Sequence, residues 1–512
     1  MNTNNADCLL IHVPKLLEYD HFMGWHSRVN FIAIGVYSIC EQLEKEGLKT
    51  QIINIGVEKL LNPKFSIVDY VKKSGAKFIA FSLHWHPQSY DTIEVARALK
   101  KAIPDLFITL GGYTSSYYAE EILTNFPFID AVIRGEGEIP IAELAKKVKL
   151  GDFVFDELPN ISWRKDSVII NNPITFVADD EDLNQWSFSS LDKVLHYETF
   201  IKLPYYISWN KPAEEVLAKS LYPTIFGLCL GRGCPGNCTW CGGGYKITKK
   251  LTTRSKISWK KPEKVAENIF TLKEKYNIHN FHIGYDPIPN KRSNMLELLE
   301  ILGAYKEKIT VTYECFGLPD LEFLDSFKKN LAPDSSLIIS PEFHSEEMRK
   351  KHRSFFYTNK ELEDVLTLLD EKEIKSELYF TCGLPGETIK SVEETIEYKD
   401  SLKNKYKMVQ ASILMPIEIE PGSPWYEDPD KYGIKVARRS FMDFYKINSS
   451  KEKKLGYETA NFKEKDIKTI REKNENKSLS EFVKLRAKRF VRMTKNYLQG
   501  KHISLADIRK HD

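Results

Sequence analysis

The stretch 228–245, LCLGRGCPGNCTWCGGGY, decides how the rest of this 512-residue chain is interpreted. Cys234, Cys238 and Cys241 form a C-x3-C-x2-C pattern within eight residues, with an aromatic residue before the last cysteine and a glycine run after it. Iron–sulfur cubes prefer four cysteine ligands, and this loop offers three. The spacing therefore predicts a [4Fe–4S] site with one iron left open for a substrate or cofactor.

A structural zinc site is the main alternative for closely spaced cysteines. Zinc loops usually come as C-x2-C pairs with a second pair some distance away, and this chain has no second pair. Cys229, five residues before Cys234, could serve as a fourth zinc ligand. The spacing of the three cysteines and the glycine run favour the cluster.

Composition indicates an ordinary globular protein. Lys plus Arg number 74 and Asp plus Glu number 71, so the net charge of +3 gives no argument for a nucleic-acid partner. The first residues show no signal-peptide pattern, and no apolar run approaches the roughly 18 residues of a membrane span. Eight cysteines, three of them in one loop, are not a disulfide framework. We therefore expect a cytoplasmic location, no membrane span and no nucleic-acid partner.

Residues 8–150 alternate short apolar runs with helical patterns, which predicts a parallel sheet covered on both faces. The predicted strands are 8–13, 50–55, 78–83, 106–112 and 130–138, and the predicted helices are 32–47, 68–75, 90–103 and 139–148. We expect a Rossmann-like domain over 1–150, with its ligand beyond the carboxyl ends of the strands. Residues at those ends include Ser82, His84, Trp85, Gly111, Gly112, Tyr113, Gly135, Glu136, Gly137 and Glu138.

A connector with a small hairpin is predicted over 151–220, and a second series of strand–helix units over 221–425. The predicted strands are 224–227, 280–286, 309–316, 336–342, 376–388 and 408–416, and the predicted helices are 262–276, 293–306, 320–328, 360–371 and 389–402. Six such units predict a partial (β/α)6 barrel with its chemistry at the carboxyl ends of the strands. Residues 426–512 are lysine-rich, with predicted helices at 436–447, 462–477 and 479–498, and we expect a basic helical cap there.

The cysteine loop resembles the signature of the radical SAM enzymes. In that family three cysteines hold a [4Fe–4S] cluster, and the amino and carboxylate groups of S-adenosylmethionine (SAM) bind the fourth iron. The run 284–286, GYD, stands where the family has a Gly-Gly-Glu-like stretch, and 340–342, SPE, resembles a motif suited to ribose hydroxyls. The runs 383–388, GLPGET, and 421–424, PGSP, resemble two further turns of the family. The SAM-binding residues that this resemblance implies are Trp240, Gly242, Gly284, Tyr285, Asp286, Ser340 and Glu342.

The first domain resembles a cobalamin-binding domain. The 28 residues 83–110 separate Ser82 from the glycine pair after the fourth strand, a spacing that this family also uses. The run 134–138, RGEGE, resembles the same domain as found attached to radical SAM enzymes. The ten strand-end residues named above are therefore the expected cobalamin-binding set. No G-x-G-x-x-G follows the first strand, which disfavours an ordinary nucleotide-binding domain.

The sequence offers several candidates for the group that lies below cobalt. Cobalamin proteins that use a histidine ligand carry D-x-H-x-x-G after the first strand, and 20–24 is one residue short of that motif. The candidate ligands are His21, His26, His84 and His86. The resemblance favours a lower face covered by side chains such as Trp85 or Tyr113.

Together the resemblances imply a cobalamin-binding radical SAM enzyme with a [4Fe–4S] cluster, SAM and cobalamin as cofactors. Such enzymes cleave SAM to methionine and a 5′-deoxyadenosyl radical, and many methylate an unactivated carbon or phosphorus. We expect a small-molecule or peptide substrate and an external electron donor of the flavodoxin or ferredoxin type. The alternatives are ring or C–C bond formation without methyl transfer, and a non-catalytic corrinoid- or zinc-binding regulatory protein.

Overall fold

A computed structural model describes residues 6–16, 31–203, 225–450, 455–466 and 469–470 of the chain. Its contacts divide the chain into two compact units, Met1–Asn461 and Phe462–Asp512, and the fold described below belongs to the first. The predicted helix over 479–498, most of that over 462–477, and the candidate ligands His21 and His26 lie outside the described residues.

The first sheet has seven strands. They are β1 (Cys8–His12), β2 (Thr50–Asn54), β3 (Phe78–Ser82), β4 (Phe107–Gly111), β5 (Ala131–Ile133), β6 (Ile161–Lys165) and β7 (Val168–Asn171). Their order is β2-β1-β3-β4-β5-β6-β7, with β1 to β5 parallel and β6 and β7 antiparallel. In a 2-1-3-4-5 order the ligand crevice opens at the carboxyl ends of β1 and β3. The predicted Rossmann-like sheet is confirmed.

Helices cover both faces of this sheet. They span Gly35–Lys45, Ile55–Leu61, Ile67–Ser74, Ser89–Ala102, Tyr113–Tyr117, Ala119–Asn125 and Glu138–Leu150. Three of the seven were not predicted, because a helix of five to seven residues is too short to show a 3.6-residue period. One of these begins directly after β2, where the Asn54 side chain accepts the N–H groups of Gly56 and Val57.

Two boundaries differ from the prediction. The strand predicted over 130–138 ends at Ile133, because Gly135 takes a φ of +70° that a strand cannot accommodate. The RGEGE run therefore forms a loop and the first turn of a helix. The hairpin assigned to the connector is present, but it extends the first sheet through β6 and β7 rather than standing apart from it. The connector also forms short helices at Asp180–Gln185, Leu191–Lys193 and Tyr197–Phe200.

The second sheet is the predicted partial barrel, and this prediction is confirmed. Its six strands are β8 (Ile225–Gly227), β11 (Asn280–Ile283), β12 (Thr310–Cys315), β13 (Ser336–Glu342), β14 (Lys375–Cys382) and β15 (Val409–Pro416). All pairings are parallel, in the order β15-β14-β13-β12-β11-β8. A small antiparallel pair, β9 (Gly231–Arg232) and β10 (Ser258–Trp259), lies beside the cysteine loop.

The helices of this half span Tyr245–Thr252, Pro262–Tyr276, Ile288–Gly303, Leu321–Asn330, Glu346–His352, Asn359–Lys372 and Ile389–Lys405. The helix Pro262–Tyr276 matches its predicted bounds, because proline at its start and Asn277 in the left-handed region after its end are local signals. The helices Tyr245–Thr252 and Glu346–His352 were not predicted. Both flank the cysteine loop.

The chain after the barrel departs from the predicted helix over 436–447. Short helices at Pro424–Glu427 and Pro429–Tyr432 precede β16 (Ile434–Val436), which pairs antiparallel with β17 (Tyr457–Thr459). A helix begins only at Phe441, because Ser440 and Asp443 form a capping box there, and it ends at Asn448. The hydroxyl of Tyr445 donates to Glu94 at 2.6 Å, so this helix packs on the first domain.

One hydrophobic core runs through both sheets. Tyr37 of the first domain and Phe226 of β8 contribute to it, with ring centroids 5.9 Å apart. In the part of the chain that the structure describes, no helix is long and apolar enough to cross a membrane.

Candidate functional site

The three cysteines of the loop differ from the other five. Cys234, Cys238 and Cys241 are half-buried, whereas Cys8, Cys40, Cys229, Cys315 and Cys382 are buried. Each of the three sulfurs accepts one backbone N–H: Gly236 to Cys234 at 3.3 Å, Gly243 to Cys241 at 3.3 Å, and Ser354 to Cys238 at 3.4 Å. Hydrogen bonds of this kind stabilise thiolates and tune cluster potentials. The donor set therefore fits a thiolate-bound iron–sulfur cluster.

Burial favours the protonated thiols of Cys234 and Cys241 while no iron is bound. Burial raises the pKa of Cys241 to about 12, and the neighbouring Glu420 carboxylate adds to this. Burial also raises the pKa of Cys234. Thiolate ligands must lose their protons, so iron uptake by this loop releases protons.

The loop is held by segments that are distant in sequence. Thr239 donates its N–H to the His352 carbonyl at 2.9 Å, and its hydroxyl lies 2.9 Å from His352 Nδ1. The N–H of Trp425 donates to the Thr239 carbonyl at 3.0 Å, and that of Asn237 to Ser354 Oγ at 2.6 Å. Sequence reasoning missed His352 and Ser354, because only the tertiary fold brings the helix Glu346–His352 to the loop.

Gly242 lies where a side chain has no room. A Cβ at this position would fall 2.8 Å from the carbonyl oxygen of Pro421. The Gly242 N–H donates to Glu420 Oε2 at 2.7 Å, and burial raises the pKa of the Glu420 carboxyl. Sequence reasoning also missed Glu420, although it directly precedes the PGSP turn.

Glu342, predicted to bind ribose hydroxyls, ends β13 in a strained conformation. Its φ is +67°, which non-glycine residues adopt mainly where the surroundings impose it. The buried guanidinium of Arg349 fixes this turn by donating to the carbonyls of Pro341 at 3.0 Å and Tyr357 at 2.7 Å. The Glu342 carboxylate makes no hydrogen bond within the described residues, and burial raises its pKa to about 7 despite the opposing charge of Arg353. The barrel therefore presents a preformed acceptor at its carboxyl end.

Arg353 was not predicted from the sequence. Its Nη2 donates to the Phe316 carbonyl at 2.7 Å, whereas Nη1 is buried without a hydrogen-bond partner among the described residues. The charges of Glu342 and Cys238 both act on this guanidinium. An unsatisfied buried guanidinium N–H beside a cluster ligand is suited to bind a carboxylate.

Asp286, predicted to accept a hydrogen bond from the ammonium group of SAM, already accepts three hydrogen bonds from the protein. Its Oδ1 accepts the Ile288 N–H at 2.9 Å and the Tyr313 hydroxyl, and its Oδ2 accepts the Phe316 N–H at 2.7 Å. The residue therefore ties the ends of β11 and β12 together. Its contact with SAM stays a prediction.

The remaining residues predicted for SAM lie at the carboxyl end of the barrel or in the loop. The Tyr285 hydroxyl donates to the Gly233 carbonyl, one residue before Cys234. Trp240 is half-buried, with its ring centroid 6.1 Å from that of Phe343. Gly284 is exposed and Ser340 is half-buried in β13. Their contacts with SAM stay predictions.

A cavity of about 340 Å³ opens at the carboxyl ends of β1, β3, β4 and β5. Its lining contains all ten residues predicted for cobalamin: Ser82, His84, Trp85, Gly111, Gly112, Tyr113, Gly135, Glu136, Gly137 and Glu138. Aliphatic side chains such as Leu10, Ile39 and Ile141 form its depth, and Arg232 and Thr252 of the second half close one side. The residues predicted at the ends of separate strands thus line one and the same cavity.

The cavity suits a large, flat and mostly apolar ligand. Gly112 has a φ of +107°, and a Cβ there would fall 2.9 Å from the backbone of His84, so only glycine lets these two cavity segments pack this closely. Burial lowers the pKa of His84 to about 4, which leaves a neutral imidazole with no hydrogen bond among the described residues. The Tyr113 hydroxyl is also buried without a partner in the described part of the chain. These residues fit cobalamin.

The two described histidine candidates for the lower face of cobalt, His84 and His86, have different positions in the structure. His84 lines the cavity, with its ring centroid 4.7 Å from that of Trp85 and 6.4 Å from that of Tyr113. His86 packs instead on Phe444, at a centroid distance of 4.8 Å. Trp85 and Tyr113, the residues favoured to cover the lower face, therefore flank His84.

Glu136 and Glu138 do more than line the cavity. Arg232 Nη1 donates to Glu136 Oε2 at 3.0 Å, and its Nη2 donates to Glu138 Oε1. Arg254 Nε donates to Glu136 Oε1 at 2.9 Å. Arg232 lies two residues before Cys234, so these ion pairs join the cavity directly to the cysteine loop.

Cys229, the possible fourth zinc ligand, lies in a separate apolar cluster. This cluster consists of Cys229 with Ala178, Leu183, Trp186 and Phe188. Burial raises the pKa of the Cys229 thiol, as it does for Cys234 and Cys241, and what sets Cys229 apart is its packing in this cluster.

Comparison with known families supports both halves of the site. Residues 228–398 match the Radical SAM superfamily, and residues 23–145 match the B12 binding domain. The two matches coincide with the barrel that follows the cysteine loop and with the sheet that carries the cavity.

The curated relatives of this chain are distant in sequence. An anaerobic magnesium-protoporphyrin IX monomethyl ester cyclase of Rubrivivax gelatinosus is 23% identical over 328 residues, which cover 60% of this chain and 51% of that protein. A cytidylyl-2-hydroxyethylphosphonate methyltransferase of Streptomyces wedmorensis is 23% identical over 298 residues, covering 54% of each. The chain thus spans about half the length of these relatives.

Solved structures share the fold at low identity. The cobalamin-dependent SAM radical enzyme OxsB, with aqua-cobalamin bound, superposes with a TM-score of 0.62 at 16% identity, covering 91% of this chain and 66% of OxsB. The radical SAM methyltransferase TsrM of Kitasatospora setae, with tryptophan and a SAM analogue bound, gives 0.60 at 14% identity, covering 84% of this chain and 78% of TsrM.

Proposed function

Because this chain is a radical SAM enzyme that carries a B12 binding domain, we propose that it methylates an unactivated carbon, or phosphorus, of its substrate. Its cofactors are a [4Fe–4S] cluster, SAM and cobalamin. The observation that carries the proposal is the direct bonding between the cobalamin cavity and the segment that leads into the cysteine loop. Two cofactor sites in this arrangement can serve one substrate between them.

In this proposal the barrel holds SAM at the open iron through two groups. The unpaired Nη1 of Arg353 binds the methionine carboxylate, and the Glu342 carboxylate accepts hydrogen bonds from the ribose hydroxyls. Both groups are fixed by their surroundings, so little ordering is needed when SAM binds.

The first domain holds cobalamin, which when bound supplies a cobalt that can carry a methyl group. Gly112 lets the corrinoid approach the backbone, and the aliphatic depth of the cavity receives the apolar part of the ligand. Trp85 and Tyr113 lie in the cavity wall and shield the ligand from water. Exclusion of water matters because a primary carbon radical reacts with whatever lies near it.

Cyclisation or C–C bond formation without methyl transfer is the second candidate. The magnesium-protoporphyrin cyclases among the relatives favour it, since they are as similar to this chain as the methyltransferase is. The two candidates share the cofactors and differ in the fate of the SAM methyl group.

A labelled-methyl experiment separates them. Anaerobically purified protein is incubated with a reductant, an extract of the source cells and SAM that carries isotope in its methyl group. We expect label in a product other than SAM derivatives, together with 5′-deoxyadenosine. SAM labelled in the adenosyl group is the control for carry-over. Deoxyadenosine without methyl incorporation would instead support the cyclase candidate.

Metal analysis addresses the non-catalytic alternative. We expect about four irons per chain, and their loss in the Cys234→Ala/Cys238→Ala/Cys241→Ala variant. Cobalamin binding, followed by absorbance, should persist in that variant because the cavity is built from another part of the chain. One zinc and no iron in the wild-type protein would overturn the proposed function.

A further inference from the structure

Four charged side chains lie buried between the cavity and the cysteine loop, and we call them the ionic bridge: Glu136, Glu138, Arg232 and Arg254. Their side chains are 10%, 2%, 18% and 4% exposed, respectively. Two carboxylates and two guanidinium groups balance in charge. Removing charges from water costs free energy that their attraction only offsets when the geometry is good. A buried bridge is therefore weak evidence for stability, and its role must be sought in what it connects.

Every member of the bridge makes at least two hydrogen bonds. Besides its bond to Glu136, Arg232 Nη1 lies 3.2 Å from Glu138 Oε2. Glu138 Oε1 also accepts the Ser38 hydroxyl at 2.7 Å, and Glu136 Oε2 accepts the Ala178 N–H at 3.0 Å. Arg254 Nη1 donates to Ser258 Oγ at 2.6 Å, and its Nη2 donates to the Ala178 carbonyl at 2.7 Å. The bridge is fully connected, so none of its members can move alone.

The bridge connects elements that belong to different cofactor sites. Glu136 and Glu138 follow β5 and line the cobalamin cavity. Arg232 ends β9, two residues before Cys234, and Arg254 lies between the helix Tyr245–Thr252 and β10. The two backbones nearly touch here, since a Cβ on Gly135 would fall 3.3 Å from the Leu251 carbonyl oxygen. A shift of the cavity wall would therefore move the start of the cysteine loop.

We infer that the ionic bridge positions the cysteine loop against the cobalamin cavity, so that one SAM site serves both cofactors. The inference rests on the proposed function. Transfer of the SAM methyl group breaks its S–CH3 bond and leaves S-adenosylhomocysteine. One-electron cleavage breaks the bond from sulfur to the 5′ carbon, leaves methionine, and gives 5′-deoxyadenosine once the radical takes a hydrogen atom. The ratio of S-adenosylhomocysteine to 5′-deoxyadenosine reports how well SAM is placed relative to the two cofactors. A misplacement of about 1 Å can slow one of the two reactions about a hundredfold.

The first test compares product ratios. We expect Arg232→Met to lower the ratio of S-adenosylhomocysteine to 5′-deoxyadenosine at least about tenfold. Iron and cobalamin contents are measured on the same samples, and the ratio is compared at equal loading with both cofactors. Glu267→Gln is the matched control, because it removes a carboxylate from an exposed ion pair with Lys264. If Arg232→Met does not fold, Glu136→Gln replaces it, since that change leaves the Arg232 pair with Glu138 in place. An unchanged ratio in the folded variant would overturn the inference.

The second test separates positioning from charge by reduction potentials measured on the cluster and on cobalamin. Glu138→Gln leaves one uncompensated positive charge and should raise both potentials, whereas Arg232→Met leaves a negative charge and should lower them. The double variant restores neutrality, so its potentials should return toward the wild-type values. Its product ratio should stay low, because the bridge remains broken. Recovery of the ratio in the double variant would show an electrostatic effect and overturn the positioning role.

A third readout needs only cobalamin and no turnover. Amide hydrogen exchange of 234–244 should slow when cobalamin is added to the wild-type protein, and should not respond in Arg232→Met. If the wild-type protein shows the spectrum of bound cobalamin but the hydrogen exchange of 234–244 does not slow, the inferred positioning role of the ionic bridge is overturned. A wild-type protein that binds no cobalamin would instead overturn the proposed function, so the two failures are distinguishable.

Discussion

The cobalamin cavity and the cysteine loop are built in different ways. The cavity wall comes from neighbouring parallel strands, β1, β3, β4 and β5, whose carboxyl ends meet at one edge of the sheet. The cysteine loop carries its three ligands within eight residues, but its supports are His352, Ser354, Glu420 and Trp425, far away in the chain. The parallel sheet thus arranges the residues of the cavity, whereas contacts with segments distant in the chain hold the cysteine loop in place.

The largest expected effect tests the cavity side alone. Gly112→Val adds a side chain 2.9 Å from the His84 backbone at a φ of +107°, so we expect at least about a hundredfold loss of cobalamin affinity, on the order of 3 kcal/mol. Titration followed by absorbance measures it. Gly151→Val is the matched control, because Gly151 also has a positive φ, +73°, but lies outside the cavity lining with nothing within 4 Å of its added Cβ. Equal affinities in both variants would contradict the close approach at Gly112.

The next effect tests the barrel side. Arg353→Met removes the unpaired guanidinium N–H, and we expect SAM to bind about 30-fold more weakly to the iron-loaded protein, about 2 kcal/mol for a charge-assisted hydrogen bond. Equilibrium dialysis with labelled SAM measures the change. The exposed Lys350 on the neighbouring helix provides the control variant Lys350→Met. Unchanged SAM affinity together with a normal cluster would remove Arg353 from the site.

A smaller effect is expected from one methyl group in the cysteine loop. The Cβ of Gly242→Ala would fall 2.8 Å from the Pro421 carbonyl oxygen, so the loop must shift at a cost of about 2 kcal/mol. We expect lower iron content after reconstitution and unchanged cobalamin binding. Gly243→Ala is the control, since its nearest neighbour is Cys241 Sγ at 3.8 Å. Complete loss of cobalamin binding in Gly242→Ala would show that the added methyl group disturbs the fold beyond the cysteine loop.

The smallest effect concerns pH, and its sign differs between the two regions. Burial raises the pKa of Glu387 in the GLPGET turn from 4.5 to about 7, so its stabilising contribution is present below pH 4.5 and is lost as pH rises to about 7. Arg232 lowers the pKa of Glu138 in the ionic bridge against the opposing effect of burial, so that contribution is present at neutral pH and is lost as pH falls.

The variant Glu387→Gln should therefore reduce the fall in unfolding free energy between pH 5 and pH 7 by on the order of 1–2 kcal/mol. Denaturant unfolding at a series of pH values measures this difference. Glu393→Gln, at an exposed carboxylate on the helix Ile389–Lys405, is the control. A fall as steep as that of the wild-type protein would show that Glu387 is ionised throughout.

Much of the architecture could be predicted because its signals are local. Continuous apolar runs such as 8–12 indicate strands buried on both faces, and the repeated strand–helix pattern indicates parallel sheets. The short helices Tyr113–Tyr117 and Glu346–His352 escaped prediction because one or two turns carry no usable period. The helix predicted over 436–447 is present but starts later, at Phe441, because β16 takes its first residue and the Ser440 cap sets the start.

The candidate site shows the same division. The ten cavity residues could be predicted because each lies at the end of a strand or shortly after it, and the strands are parallel. The ammonium contact of Asp286 stays a prediction, whereas its three bonds to its own loop and to the neighbouring strand and loop became known only from the tertiary structure. Arg353, His352 and Glu420 could not be predicted, since no local pattern distinguishes them from ordinary polar residues.

By itself, the sequence determined the spacing of the three loop cysteines, the two-sheet order of the chain and the glycines that line the cavity, because spacing, period and backbone freedom are properties of neighbouring residues. Only the tertiary structure decided how the two sites face each other. It brings Glu136 and Glu138 to Arg232, about a hundred residues further along the chain, and it leaves one N–H of Arg353 unpaired. Buried charges pair through space, so their partners become known only when the chain is folded.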